Sequence, residues 1–205
     1  MFIKGILVVI IAYLLGCFST GILISRSKGV DIRNAGSKNT GTSNVLRVMG
    51  IKSGLLTFVG DCGKALLACW IGSLLLPQPV WGIERFGVML AGLVVILGHN
   101  WPVFYQFKGG KGVACSAAVV VFVSPLWGGI ACLVAIIVIA WTRYISVGSM
   151  CLLFAFTVGM VISQQWYGVV FGSILLLLCV WRHRENIKRL CNGTENKIGK
   201  RVSNT

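Results

Sequence analysis

Four stretches of this chain run without a single Asp, Glu, Lys or Arg: residues 5–25, 86–107, 112–142 and 145–181. A hydrocarbon layer about 30 Å thick is crossed by about 20 helical residues. The stretch 5–25 is long enough for one crossing, and so is 86–107. The third is too long for one simple span, and Ser124-Pro125 divides it into a short piece, 113–123, and a fuller one, 126–142. The fourth is divided by the polar run Ser163-Gln164-Gln165. A further apolar segment extends from about Lys52 to Leu76, with Asp61 and Lys64 inside it. Only 12% of the residues are charged and 56% are hydrophobic, whereas a soluble domain carries about 25% charge. An ordinary soluble globule, a disordered chain and a coiled coil are therefore excluded. The expectation is an all-α polytopic membrane protein with about seven transmembrane helices, one of them short, and residues 1–205 forming a single domain without internal repeats or linkers.

The remaining charge is lopsided, with 19 Lys and Arg against 5 Asp and Glu, a formal net charge of +14. Position decides what this excess serves. The loop 26–52 holds Arg26, Lys28, Arg33, Lys38, Arg47 and Lys52. The tail holds Arg182, Arg184, Lys188, Arg189, Lys197, Lys200 and Arg201. Positive loops stay in the cytoplasm. With seven crossings, Lys108, Lys111 and Arg143 fall on that side too, and only Lys4 and Arg85 fall outside. The N-terminus is expected outside and the C-terminus in the cytoplasm. Leu14-Leu15-Gly16-Cys17 resembles a lipoprotein cleavage box, but cleavage there would export the basic loop, so the segment reads as a retained span. The eight cysteines form no CxxC and read as small hydrophobes.

Three polar clusters interrupt the apolar chain on the expected cytoplasmic side. The first is Gly36-Ser37-Lys38-Asn39-Thr40-Gly41-Thr42-Ser43-Asn44, followed by Arg47. The second is Lys108-Gly109-Gly110-Lys111-Gly112. The third is His183, Asn186 and Arg189, spaced to share one face of a helix continuing the last span, followed by Gly193 and Glu195. Glycine lets backbone N–H groups approach an anion, and a following helix N-terminus adds a favourable dipole. Lys111 adds a point charge, and Arg47 and Arg189 can each grip two oxygens. A shared phosphate-binding face is the expectation. The second cluster is not a Walker A loop, since no Ser or Thr follows Lys111. Five carboxylates without a DxxD cluster leave little to hold Mg²⁺. No GxSxG elbow and no HxxxxD pair occur. A transporter for a phosphorylated small molecule remains an alternative, although it should carry pathway-lining polar groups on both faces. A membrane subunit whose basic loops recruit a soluble partner is another.

Taken together, these motifs resemble the bacterial acyl-phosphate-dependent glycerol-3-phosphate acyltransferases, integral membrane enzymes that make lysophosphatidic acid. The likeness covers essentially the whole chain. Gly36-Ser37-x-Asn39-x-Gly41-x-x-Asn44-Val45-x-Arg47 is similar to the family's first motif, Lys108 to Ala114 to its second, and His183-x-x-Asn186-x-x-Arg189-x-x-x-Gly193-x-Glu195 to its third. Gly98-His99-Asn100-Trp101-Pro102 and Asp61-x-x-Lys64 also sit where similar family segments do. The chain departs at Lys38, Thr42 and Ser43. It also carries Gly16-Cys17-Phe18-Ser19-Thr20-Gly21 where the family has a Pro-containing stretch, which puts a kink in the first helix in question.

The resemblance implies acyl transfer from acyl phosphate to glycerol 3-phosphate in a bacterial inner membrane, with no cofactor, no metal and no nucleic acid. Membrane lipid and the soluble enzyme that makes acyl phosphate are the implied partners. Ser37, Asn39, Arg47, Lys111, His183 and Asn186 are the expected catalytic residues. Asn44, Lys108, Gly109, Gly110, Gly112, Arg189 and Glu195 are expected to bind substrate. Within that reading, backbone amides of 109–112 cradle the acyl-phosphate phosphate, so a Cβ at Gly110 would obstruct it. Arg47, Lys111, Asn186 and His183 hold glycerol 3-phosphate, and Ser37 and Asn39 orient its polar groups. Arg189 with Glu195 stabilises the third motif. The hydroxyl proton goes to His183 or to a substrate phosphate oxygen.

Overall fold

The computed structural model describes residues 1–199, so Lys200 and Arg201 of the basic tail lie outside the described residues. Among the described residues the chain is helical: α1 (Phe2–Cys17), α2 (Thr20–Arg26), α3 (Thr42–Leu75), α4 (Phe86–Asn100), α5 (Val113–Val123), α6 (Pro125–Thr142), α7 (Ile145–Ile162), α8 (Trp166–Arg182) and α9 (Arg184–Cys191), with one 3₁₀ turn at Val103–Tyr105. Two compact units result, and the boundary between Val119 and Val120 falls inside α5.

In the first unit α4 packs on α1 and α3, and α2 packs on α3. In lipid there is little hydrophobic drive for helices to pair, so close backbone approach through small residues takes over. Gly16 and Gly98 face each other where α1 crosses α4: a Cβ on either would strike the other helix's backbone, at Val95 O or Tyr13 O. Gly72 and Gly87 do the same for α3 and α4. The second unit packs α7 between α6 and α8. There Gly159 sits against the Trp127 ring, and Gly172 against Thr157 and Phe156. Ser124 turns the chain and Pro125 opens α6 at a position where a missing N–H costs nothing. Gln164, at φ 54°, separates α7 from α8.

Among the described residues five helical stretches are long and apolar enough to cross a membrane, or six if the bent α8–α9 pair counts as one. The 11 residues of α5 rise only about 16 Å at 1.5 Å each, so α5 is the short member of the set and a crossing there is a thin one. The expected seven spans are thus five clear crossings, a sixth that bends and a short apolar helix. Three local expectations change as well. The second span begins at Thr42, because α3 continues through a kink at Gly50 (φ 83°). The first segment is two helices, broken at Phe18 and Ser19 without a proline. The third cluster does not extend α8 straight: the chain bends by 61° between α8 and α9, with His183 at the bend.

Candidate functional site

The first cluster is a loop folded around one amide. Asn44, buried in the first turn of α3, accepts from Ser37 N through Oδ1 (2.8 Å), and its Nδ2 reaches the carbonyls of Ile32 (3.3 Å), Ala35 (3.0 Å) and Asn39 (2.9 Å). Gly36 has φ +58°, and a Cβ there would meet Asn44 Oδ1, so Asn44 and Gly36 require each other. Asn39 Oδ1 accepts from Gly41 N at 2.9 Å, just ahead of α3. Asn44 therefore shapes the loop with its whole side chain, which leaves Ser37 exposed and Asn39 and Arg47 half-buried. Beneath the loop, Ile22, Ile32 and Val45 form a buried apolar knot with Met49 and Tyr105 against it. Arg26 lies over the Tyr105 ring at 6.0 Å. This knot ties the first cluster to the turn that leads into the second.

That second cluster lies against the end of α4. Gln106 and Phe107 take positive φ (55° and 58°) and reverse the chain. Gly110 N then donates to His99 O at 3.0 Å. The glycines are packed edge-on: a Cβ at Gly109 would meet His99 O and Pro102, one at Gly110 would meet His99 Nε2, and one at Gly112 would meet Ile96 and Asn100 Oδ1. The expectation that all four amides 109–112 face an anion is therefore corrected at Gly110, whose N–H is engaged by His99 O. The open face of that glycine is likewise filled by the imidazole. Lys108 is exposed and Lys111 half-buried. Gly112, at φ +76°, hands the chain to the N-terminus of α5. Thiols anchor that terminus, Cys62 Sγ donating to Ala114 O (3.4 Å) and Cys115 Sγ to Asp61 O (3.3 Å). Asn100 is fully buried, and neither its Nδ2 nor its Oδ1 makes a hydrogen bond among the described residues.

Below this loop sits a buried ionic group. Lys64 Nζ lies 3.0 Å from Asp61 Oδ1. It donates to Gly16 O (3.1 Å) and Phe18 O (2.7 Å), and stands 2.9 Å from His99 Nδ1. An ammonium has three hydrogens and no lone pair. The two carbonyls take two of the hydrogens, the third lies between His99 Nδ1 and Asp61 Oδ1, and Asp61 balances the charge. The Nδ1 edge of the ring thus faces the ammonium and Asp61, and Nε2 faces Gly110. The carbonyls of Gly16 and Phe18 belong to the break between α1 and α2. A helix kinks where a side chain inserts into its ladder, and the Lys64 ammonium satisfies the carbonyls so exposed. The break thus survives without a proline. Donor atoms of Asp61, His99 and Cys115 lie within 4.8 Å of one another, but the lysine already supplies the positive charge there.

The third cluster is organised inside the second unit by Glu195. Its Oε1 accepts from Asn186 Nδ2 (2.6 Å) and Ser146 Oγ (3.0 Å), and its Oε2 from Arg189 Nε (2.8 Å). The Glu195 side chain is only 5% exposed. Burial pushes its carboxyl pKa up, but the hydrogen bonds from Asn186, Arg189 and Ser146 outweigh burial and hold it below the usual carboxylate value. His183 is buried at the bend, with Nδ1 2.9 Å from Cys179 O. The Cys179 thiol lies 3.4 Å from the same nitrogen, so the residue one turn earlier fixes the setting of the ring.

Arg47 and Lys111 are thereby placed in the first unit with Ser37, Asn39, Asn44, Lys108 and the glycines, and His183, Asn186, Arg189 and Glu195 are placed in the second. Sequence reasoning missed Ser146, whose only signal is a hydroxyl at the start of an apolar span. It also missed Asn100 as a buried amide and the Lys28–Ser53 bond, 2.8 Å. Cysteines divide as four buried, three half-buried and one exposed, all free thiols; the weak thiol donors of Cys62 and Cys115 were not legible as such.

The chain as a whole is similar to known proteins. The sequence profile of the family described as glycerol-3-phosphate acyltransferase matches residues 6–193. A glycerol-3-phosphate acyltransferase of Thermoanaerobacter sp. (strain X514) is 42% identical over 97% of this chain and 98% of its own length. That of Aquifex aeolicus (strain VF5) is 38% identical over 95% of this chain and 100% of its own. The crystal structure of PlsY, an integral membrane glycerol 3-phosphate acyltransferase, in its glycerol 3-phosphate form superposes with a TM-score of 0.87 at 37% identity, covering 95% of this chain and 96% of that one. Its lysophosphatidic acid form gives 0.84 at 36% identity, covering 95% of each. With the profile spanning nearly the whole sequence and both polar units included, the chain belongs to the glycerol-3-phosphate acyltransferase family of integral membrane proteins.

Proposed function

We propose that the donor for this glycerol-3-phosphate acyltransferase is an acyl phosphate, bound at the Lys108–Gly112 loop and the N-terminus of α5. We also propose that the two units act as one catalytic domain. The enzyme acylates glycerol 3-phosphate to lysophosphatidic acid. The observation that carries the donor assignment is a rigidly seated glycine turn, Gly112 at φ +76°, opening directly into α5. Helix N-termini present N–H groups without intrahelical acceptors and favour phosphate. Membership of an acyltransferase family decides against the transporter alternative.

An acyl phosphate is a mixed anhydride whose phosphate is already a good leaving group. The glycerol 3-phosphate hydroxyl attacks the acyl carbon, the C–O bond to phosphate breaks, and no acyl-enzyme forms. Arg47 and Lys111 hold the glycerol 3-phosphate dianion together with Asn186, while Ser37 and Asn39 orient its hydroxyls. Asn44 contributes through the loop it shapes, and Arg189 with Glu195 keeps Asn186 in place. Lys108 adds positive potential at the donor loop, and Gly109, Gly110 and Gly112 let the loop lie flat on α4. The hydroxyl proton passes to His183 or to an oxygen of a substrate phosphate. Holding both substrates in attack geometry supplies up to about 7–11 kcal/mol, and each oxyanion donor about 3–4 kcal/mol. No step needs a metal. The protein is proposed to lie in the bacterial inner membrane with its N-terminus outside and its C-terminus in the cytoplasm. There the soluble enzyme that makes acyl phosphate can deliver donor.

The test is purified protein in lipid vesicles with palmitoyl phosphate and labelled glycerol 3-phosphate, in EDTA and without CoA. The expected result is lysophosphatidic acid and inorganic phosphate in equal amounts. Turnover with palmitoyl-CoA but not palmitoyl phosphate, or activity restored specifically by Mg²⁺, would overturn the proposal.

A further inference from the structure

The buried Asp61–Lys64–His99 group lies outside the set of residues assigned to either substrate, yet it is joined to the donor loop at two points. His99 O accepts from Gly110 N at 3.0 Å, and the His99 ring occupies the place where a Cβ on Gly110 would stand, with Nε2 the nearest atom. The ring itself has one setting. Lys64 Nζ is 2.9 Å from Nδ1, and Lys64 is fixed in turn by Gly16 O, Phe18 O and Asp61. The chain of contacts therefore runs from the α1–α2 break, through a buried ammonium, to an imidazole and on to the backbone of the glycine loop. A lysine and an aspartate in a membrane helix are expensive, and a simple helix-packing pair would not need a third member aimed at a loop.

We infer that His99 is a positioning residue for acyl transfer: its imidazole, held by Lys64 and Asp61, is the template against which Gly110 seats the Lys108–Gly112 loop. The inference rests on the reading of that loop as the donor site. Gly110 is glycine because the ring fills its side-chain volume. A purely ligand-driven requirement would instead leave that volume to the phosphate.

The two explanations separate in a double-mutant cycle. His99→Asn keeps an Oδ1 where Nδ1 stood, so Lys64 retains its acceptor, but it removes the ring atoms that face Gly110. In that background the methyl of Gly110→Ala has room. Steady-state kinetics with palmitoyl phosphate and glycerol 3-phosphate each varied would be measured for Gly110→Ala, His99→Asn and the double variant. A displaced loop costs up to about 100-fold, so each single variant is expected to raise the palmitoyl phosphate KM well beyond the glycerol 3-phosphate KM. The double variant is expected to recover at least about tenfold over Gly110→Ala, the size of coupling found between residues in contact. Losses that simply multiply would overturn the inference, as would a His99→Asn enzyme with wild-type KM for palmitoyl phosphate.

Trypsin cleavage after Lys108 and Lys111 in the full-length, detergent-solubilised protein gives a readout that needs no substrate. Cleavage should quicken in Gly110→Ala and slow again in the double variant, and unchanged cleavage in all three would count against the template. If wild-type protein fails to turn over palmitoyl phosphate, the donor reading falls, and the cleavage pattern still decides whether His99 seats the loop. A Gly110→Ala protein too unstable to assay transfers the decision to His99→Asn, whose donor KM and cleavage rate must then both rise.

Discussion

Replacing Glu195 by Gln tests whether the third cluster is held by a charge. The carboxylate accepts three hydrogen bonds, at 2.6, 2.8 and 3.0 Å, and its side chain is 5% exposed. The best-placed Gln keeps its Oε1 between Asn186 and Ser146 and turns its amide nitrogen toward Arg189, where donor meets donor. A hydrogen bond to a charged group contributes about 1.5–3 kcal/mol. Arg189 is 37% exposed, so water replaces part of that bond and the low end applies. The two remaining bonds become neutral and weaken. The total is about 2–3 kcal/mol, or a factor of roughly 30–150 in how often Asn186 and Arg189 stand in place. Glycerol 3-phosphate kcat/KM in vesicles should fall by up to that factor. Amide exchange over 184–191 should speed up with it, and Ser146→Ala, which removes a single hydrogen bond to the carboxylate, should cost about tenfold. The sign with pH follows from the same bonds. A carboxyl held below its ordinary 4.5 stabilises the fold above that value and loses the contribution as pH falls through the lowered one. The Gln variant should lack that part of the acid limb. Activity within threefold of wild type, with unchanged exchange, would refute this account of the cluster.

Arg47→Lys keeps the charge but not the planar fork, and should weaken glycerol 3-phosphate use by about ten- to 150-fold, one charge-assisted bond. Palmitoyl phosphate KM should stay nearly constant, and equal damage to both substrates would dissolve the assignment. Asn44→Ala removes an amide bonded to four backbone groups and should destabilise the protein by about 2–4 kcal/mol; a melting curve unchanged from wild type would show that the loop does not depend on it. Reporter fusions should put residue 35 and the C-terminus in the cytoplasm and residue 80 outside, and a C-terminus on the opposite side from residue 35 would exclude the proposed topology.

Spans and polar clusters were legible in the sequence because both are compositional. Charge-free runs of the right length have one economical structure in lipid, and clusters of glycine, amide and cation interrupt them visibly. Directions were less legible. The bend at His183 goes with a carboxylate twelve residues on, Glu195, which gathers Asn186, Arg189 and the distant Ser146. The break after Cys17 depends on Lys64, whose ammonium replaces the helical partners of two carbonyls. A search for proline finds neither, since the side chain that goes with each lies far along the chain. α3 starts at Thr42 rather than near Lys52 because the helix continues on both sides of a kink at Gly50, and the polar residues before Lys52 mask that continuation.

The glycine loop shows why a motif's residue types underdetermine their reasons. From sequence, three glycines around Lys111 mean backbone open to an anion. In the fold each of the three lies against a separate part of the 96–102 segment: Gly109 on His99 O and Pro102, Gly110 on the His99 ring, Gly112 on Ile96 and Asn100. A loop that flat on a buried helix end cannot drift, and anion binding gains from donors that are already in place. Close packing on one side and phosphate recognition on the other both demand the same absent Cβ. Substitution at a single glycine cannot tell them apart. A pair of changes, one on the loop and one on the helix beneath it, can, because only packing lets the second change compensate the first.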